Sequence, residues 1–255
     1  MRAIAHRSLF LPLLGALVVL AWVVLWFWER SPYAAFLDHS LLRELSLSSG
    51  PFDFFNLYVL SWVLMTAAMM LPTTFPLIEM FRRLTLRRQD QTTLMASLAL
   101  GYLAIWMGFG VVAHAAGWLV VEAFDRIELL RRNAWAIGAG ILLLAGAFQF
   151  SSLKYRCLEK CRTPLSFVTQ YWRQQGGHAG AFQLGVRHGA FCIGCCWALM
   201  LLMFAVIAGN VGWMLALAAV MAIEKNMPWG RHLSPVLGVA LLTWGGMIAI
   251  GQMIA

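Results

Sequence analysis

The chain has 255 residues, of which 61% are hydrophobic and only 12% charged, against roughly 25% charged in a soluble domain. With a mean hydropathy of +0.75, it is a poor candidate for a water-soluble globule. The net charge of +8 does not signal a nucleic-acid binder, because Lys and Arg fall in short clusters between apolar runs, as in the cytoplasmic loops of membrane proteins.

Apolar segments long enough for a hydrocarbon core of about 30 Å recur along the chain. The first, Leu9 to Trp28, follows Arg2 and Arg7 and ends in Trp26, Phe27 and Trp28; its length and aromatic end predict a retained span rather than a cleaved signal. Further spans are predicted at Phe55 to Phe75, Leu94 to Val121, Ala134 to Leu153, Gly189 to Gly209, Val211 to Ile223 and Leu233 to Ile254. The expected fold is therefore all-α, a polytopic transmembrane helix bundle forming a single domain over 1–255. It has seven spans, or six if the short segment ending at Ile223 does not cross. Thr163 to Ala181, with Gly176, Gly177 and Gly180, reads as a loop carrying one amphipathic turn.

Orientation follows from where the basic residues fall. With the N-terminus inside, the inner segments hold Arg2 and Arg7, Arg82, Arg83, Arg87 and Arg88, then Lys154, Arg156, Lys160, Arg162, Arg173 and Arg187, and finally Lys225 and Arg231. Only Arg30, Arg43, Arg126, Arg131 and Arg132 are left outside. This predicts an N-in, C-out protein of the bacterial inner membrane, with the lipid bilayer as its first partner and no nucleic acid among the others.

All five cysteines sit in two clusters, at Cys157 and Cys161 and at Cys192, Cys195 and Cys196. His188, Cys192, Cys195 and Cys196 occupy positions i, i+4, i+7 and i+8 of a helix, within about 100° of one another, and the stripe continues to Leu199 and Met203. An imidazole and three thiols on one face suit a soft metal, copper(I) first, with zinc and iron–sulfur clusters as the other thiolate users. Small apolar cysteines also pack well between helices, which is the plain alternative. Cys157 and Cys161 lie at the same predicted depth on the inner side, where thiols stay reduced. Met65 and Met69, one turn apart in the second span, add thioethers that either line a metal path or fill packing gaps. Glu224 and Lys225 close the sixth segment, Glu224 as a cation or proton site, or as a residue that hydrogen-bonds a neighbouring helix or pairs with Lys225. Glu79 reads as an ion-pair partner of the Arg82 and Arg83 cluster, and His114 as a packing residue. There is no GxSxG, phosphate-loop, HExxH or CxxCH motif, so no common enzyme class is indicated.

The stretches Met65 to Pro72, Leu153 to Pro164 and Gly185 to Met200, followed by Glu224 and Lys225, resemble the bacterial family of predicted metal-binding integral membrane proteins, a domain of unknown function. The resemblance covers most of the chain from Phe55 onward. By position it implies metal-binding roles for Cys157, Cys161, His188, Cys192, Cys195 and Cys196.

Three functions follow as expectations. The first is an inner-membrane metal handler that captures a soft ion for transport or for delivery to a membrane or soluble protein partner. The second is a thiol oxidoreductase pairing Cys195 with Cys157 or Cys161, since adjacent Cys195 and Cys196 cannot readily bond to each other on a helix. The third is a non-catalytic subunit of a larger membrane complex.

Overall fold

The computed structural model describes residues 10–31, 51–128, 133, 135–172, 177–205 and 210–254. Among them are ten α-helices, two short 3-10 turns and no strand. The helices are α1 (Phe10–Glu29), α2 (Pro51–Met69), α3 (Phe75–Leu84), α4 (Gln91–Arg126), α5 (Trp135–Phe148), α6 (Ser152–Arg162), α7 (Pro164–Tyr171), α8 (Gly177–Ala205), α9 (Val211–Asn226) and α10 (Leu233–Ile254). Arg2, Arg7, His6, His39, Arg43, Arg131, Arg132 and Arg173 lie outside the described residues.

Four helices (α1, α4, α8 and α10) are long and apolar enough to cross a membrane, and the total reaches six if each of two bent pairs counts as one crossing. The first pair is α2 with the segment Pro72–Leu84, meeting at 45°. The sequence dictates that bend. Pro72 has no N–H to donate to the carbonyl four residues back and disfavours helix before it. The carbonyl so freed, that of Ala68, accepts the indole N–H of Trp22 from α1 at 3.1 Å. Thr73 and Thr74 then donate their hydroxyls to the Met70 and Leu71 carbonyls, both at 2.7 Å, so the irregular turn leaves few backbone groups without partners.

The second pair corrects the expectation of one continuous span to Leu153. Helix α5 stops at Phe148, and α6 starts afresh at 64° to it. Ser151 caps α6 by accepting from the Lys154 backbone N–H at 3.1 Å, a strong helix-start signal. The loop expected over Thr163 to Ala181 is also corrected. Pro164 opens α7 at its first turn, where its fixed φ suits a helix, and Phe167 and Val168 are buried beneath it. Helix α8 then begins at Gly177, whose φ of +51° favours glycine. The span expected from Gly189 thus starts twelve residues earlier, at Gly177.

At the centre α8 packs along α4. Gly185 of α8 lies so close to α4 that a Cβ there would stand 2.0 Å from the Leu98 carbonyl oxygen, and a Cβ on Gly101 would stand 2.1 Å from that of Phe182. Small residues let apolar helices approach until backbones touch, which adds close van der Waals contact along the seam. This seam sets the lateral position of the thiols two and three turns further along α8. Helix α6 lies on α8, α9 packs against α6 and the Pro72–Thr74 turn, and α10 runs along α5.

Candidate metal centre

Helices α6 and α8 bring both cysteine groups together. Cys157, Cys192, Cys195 and Cys196 are buried at 0–8% exposure, Cys161 is partly buried, and all five are free thiols. Gly194 makes the meeting possible, since a Cβ at that position would stand 2.5 Å from Cys157 Sγ. Helix α6 lies along α8, with Cys157 on Gly194, so the two cysteine groups face each other across this contact. On α8 the side chains point back toward the helix N-terminus, and Cys195 and Cys196 donate to the Cys192 carbonyl at 3.1 and 2.8 Å.

The walls come from other elements. Tyr102 of α4 places its hydroxyl 3.0 Å from Cys192 Sγ and 3.2 Å from the Met70 carbonyl. The Met70 thioether lies 3.9 Å from Cys196 Sγ. Lys225 of α9 points its ammonium into the same space, 2.9 Å from Cys192 Sγ, 3.9 Å from Cys196 Sγ, 4.0 Å from Met70 Sδ and 3.3 Å from Thr73 Oγ1. Among the described residues no carboxylate is hydrogen-bonded or ion-paired to it.

Of the other residues singled out in the sequence, Met65, Met69 and Met203 are buried in the same core. Among the described residues, however, it is the Met70 thioether that reaches a thiol, because Met70 sits where α2 breaks. His188 is buried between the rings of Tyr102, at 5.9 Å, and Phe167, at 5.3 Å. Its Nδ1 has no hydrogen-bond partner among the described residues. Glu79 pairs with Arg82 and Arg83 at 2.6 and 2.7 Å.

Glu224 does not pair with Lys225. It accepts from Lys154 of α6 at 2.7 and 2.9 Å and from Ser234 of α10 at 2.6 Å, while Lys154 also donates to Gln149. Arg162 adds hydrogen bonds to the Glu224 and Pro228 carbonyls, caring for the end of α9 as a cation at a helix C-terminus does. Neighbouring positions on a helix point about 100° apart, which is why Glu224 faces Lys154 while Lys225 faces sulfur. Met70, Thr73 and Tyr102 were not legible as site residues, and Lys225 was read only as a partner of Glu224. The proline break beside Met70 was the available signal for the first two, and nothing in the sequence marked Tyr102.

Among the described residues no three Cys, His, Asp or Glu side chains are already spaced as ligands of one ion. The donor set nonetheless suits a soft ion: several thiols, a thioether and an imidazole nitrogen without a partner, all enclosed by protein.

A donor set of this chemistry belongs to proteins that handle soft metals. The chain belongs to the PpoB2 family, described as copper chaperone, whose model matches residues 59–248 and so takes in every thiol of the pocket. No curated protein and no solved structure matches it.

Proposed function

We propose that this protein is a membrane-embedded copper carrier that holds Cu(I) in the pocket between α6, α8 and α9. Cys192, Cys195 and Cys196 supply the principal ligands, Cys157 and Cys161 complete the sulfur set, and His188 stands one turn away on the same face of α8. Met65, Met69 and Met203 form the thioether-rich packing around it. The observation that carries this reading is the meeting of two cysteine groups, 35 residues apart between Cys157 and Cys192, across the α6–α8 contact of a copper chaperone family member. Cu(I) favours soft thiolate and thioether ligands, which is what the cysteines and the Met70 thioether offer.

The membrane setting is part of the proposal. Its support is the outward face of the long helices, where Phe27, Val112 and Ile254 are 68, 66 and 81% exposed; so much outward apolar surface fits lipid better than water. The arrangement proposed is six crossings, or seven if α9 also crosses, in the bacterial inner membrane with the N-terminus inside, the thiols near the inner face and a soluble or membrane partner receiving the ion.

The test is metal retention. Protein purified under reducing conditions, loaded with Cu(I) and desalted, should hold copper, and the variant with Cys192→Ser, Cys195→Ser and Cys196→Ser should lose it. Equal copper in both would overturn the proposal. A second reading, thiol–disulfide chemistry, has one observation in its favour, the packing of α6 on α8 that sets Cys157 against Gly194, next to Cys195 in the chain. Thiol trapping after mild oxidation decides it, since no reversible Cys161–Cys195 disulfide means no such activity.

A further inference from the structure

Three helices converge beside the thiols, and their directions decide what stands next along each. Lys225 lies 14 residues past the start of α9 and Cys192 lies 13 before the end of α8, about 20 Å along each axis, yet their side chains meet at 2.9 Å. Helix α9 therefore folds back against the direction of α8. Helix α2 also runs against α8. It is antiparallel to α4, since Tyr102 meets Met70 and Trp106 meets Trp62, and α4 runs with α8, since Leu98 meets Gly185 and Ile105 meets Gly189.

The meeting point is the Met70 thioether, 3.9 Å from Cys196 Sγ and 4.0 Å from Lys225 Nζ. One turn onward from Cys196 along α8 stands Met200, one turn back from Lys225 along α9 stands Met221, and one turn back from Met70 along α2 stands Thr66. Residues four apart share a helix face, and with these directions all three steps lead to the same side of the meeting point. Side chains lean toward the N-terminus of their helix, so Met200 leans back toward Cys196 while Met70 and Met221 lean toward Met200. All three methionines are 0% exposed and belong to one packed core. Methionine also fills gaps in apolar packing, but Thr66 sets this place apart. Its hydroxyl is buried without a hydrogen-bond partner among the described residues, although buried hydroxyls ordinarily find one, so the space beside Met70 has a polar group to offer a guest.

We propose that Met70, Met200 and Met221 form a second seat for a soft monovalent ion, built of thioethers alone and lying one turn from the thiols. This rests on the copper reading of the thiol site. Thioethers are soft donors without charge, so the seat takes the ion that the thiolates take and holds it less firmly. Met70, in contact with Cys196, is the ligand shared by the two seats.

The experiment measures Cu(I) uptake by equilibrium dialysis in reducing, thiol-free buffer, and the copper left after desalting, for the full chain in detergent and for Met200→Leu, Met221→Leu and Met95→Leu. Methionine to leucine nearly conserves volume, and Met95, also 0% exposed, controls for packing. The parent should hold one portion of copper through desalting and a further ion that only dialysis detects. The further ion should bind at least about tenfold more weakly in Met200→Leu and in Met221→Leu, with the desalted copper unchanged and Met95→Leu matching the parent. In parent protein labelled with selenomethionine, X-ray absorption at the selenium edge should gain a copper neighbour as that ion loads. If one leucine variant does not fold, the other and the labelled parent decide. No further ion in the parent, or one that neither leucine variant weakens, overturns the inference while leaving the thiol site standing. Parent protein that takes up no Cu(I) overturns the site and the inference together.

Discussion

Lys154→Met should be among the most destabilising single substitutions in this chain. Lys154 Nζ bonds both Glu224 oxygens and Gln149 from a position with no solvent exposure, and Glu224 is 2% exposed. Removing the lysine leaves the carboxylate with the Ser234 hydroxyl at 2.6 Å as its remaining side-chain partner. Stranding one member of a buried ion pair costs about 3–5 kcal/mol. At roughly 2–4 °C of melting temperature per kcal/mol for a chain of this size, the loss should be about 6–20 °C. The assay is thermal unfolding followed by far-ultraviolet circular dichroism in detergent, for Lys154→Met, Glu224→Gln and the two combined. The combined variant should recover much of the loss, since a methionine beside a carboxamide leaves no charge uncompensated. Because the pair joins α6 to α9, Lys154→Met should also weaken copper retention although it touches no thiol. If both single variants melt within about 2 °C of the parent, or if the effects simply add, the pair is not the clasp described here.

Two further outcomes follow from the packing. Gly194→Ala places a methyl group 2.5 Å from Cys157 Sγ, so it should cost about 1–3 kcal/mol by overpacking and make Cys157 react faster with a maleimide; the addition of Cys157→Ala should restore the melting temperature, and no restoration would refute the contact. Tyr102→Phe removes the hydroxyl that bridges the Met70 carbonyl and Cys192 and should cost about 0.5–1.5 kcal/mol, measured by the same unfolding curve.

The helices were legible because apolar length is a direct physical signal, and α1, α4 and α10 fall close to where hydropathy puts them. The break between α5 and α6 was not, because Phe150 keeps the apolar run unbroken while Gln149 and Ser151 end the helix by hydrogen bonding that no hydropathy average registers. Gly177 and Gly180 were read as loop, yet they open α8: glycine lowers helix propensity, but helix packing rewards it, and a Cβ on Gly180 would stand 3.3 Å from the Trp172 ring. In the pocket, the stripe from His188 to Cys196 was visible from periodicity alone. The same periodicity pointed to Met65 and Met69 rather than Met70, because a one-turn repeat presumes a helix that continues, and Pro72 ends it. Lys225 was hidden for a different reason. Its sequence neighbour Glu224 offered an obvious partner, and only the position of α6 gives that carboxylate to Lys154 instead.

The enclosure of the sulfurs has a kinetic side. On the copper reading, an ion among Cys192, Cys195 and Cys196, each 2% exposed or less, would be reached by small competing thiols mainly as α6 parts from α8, so that motion rather than ligand substitution at sulfur would govern its residence time. A receiving protein that loosens that contact would then set the pace of hand-over, while the cargo stayed shielded from cellular scavengers until it docked.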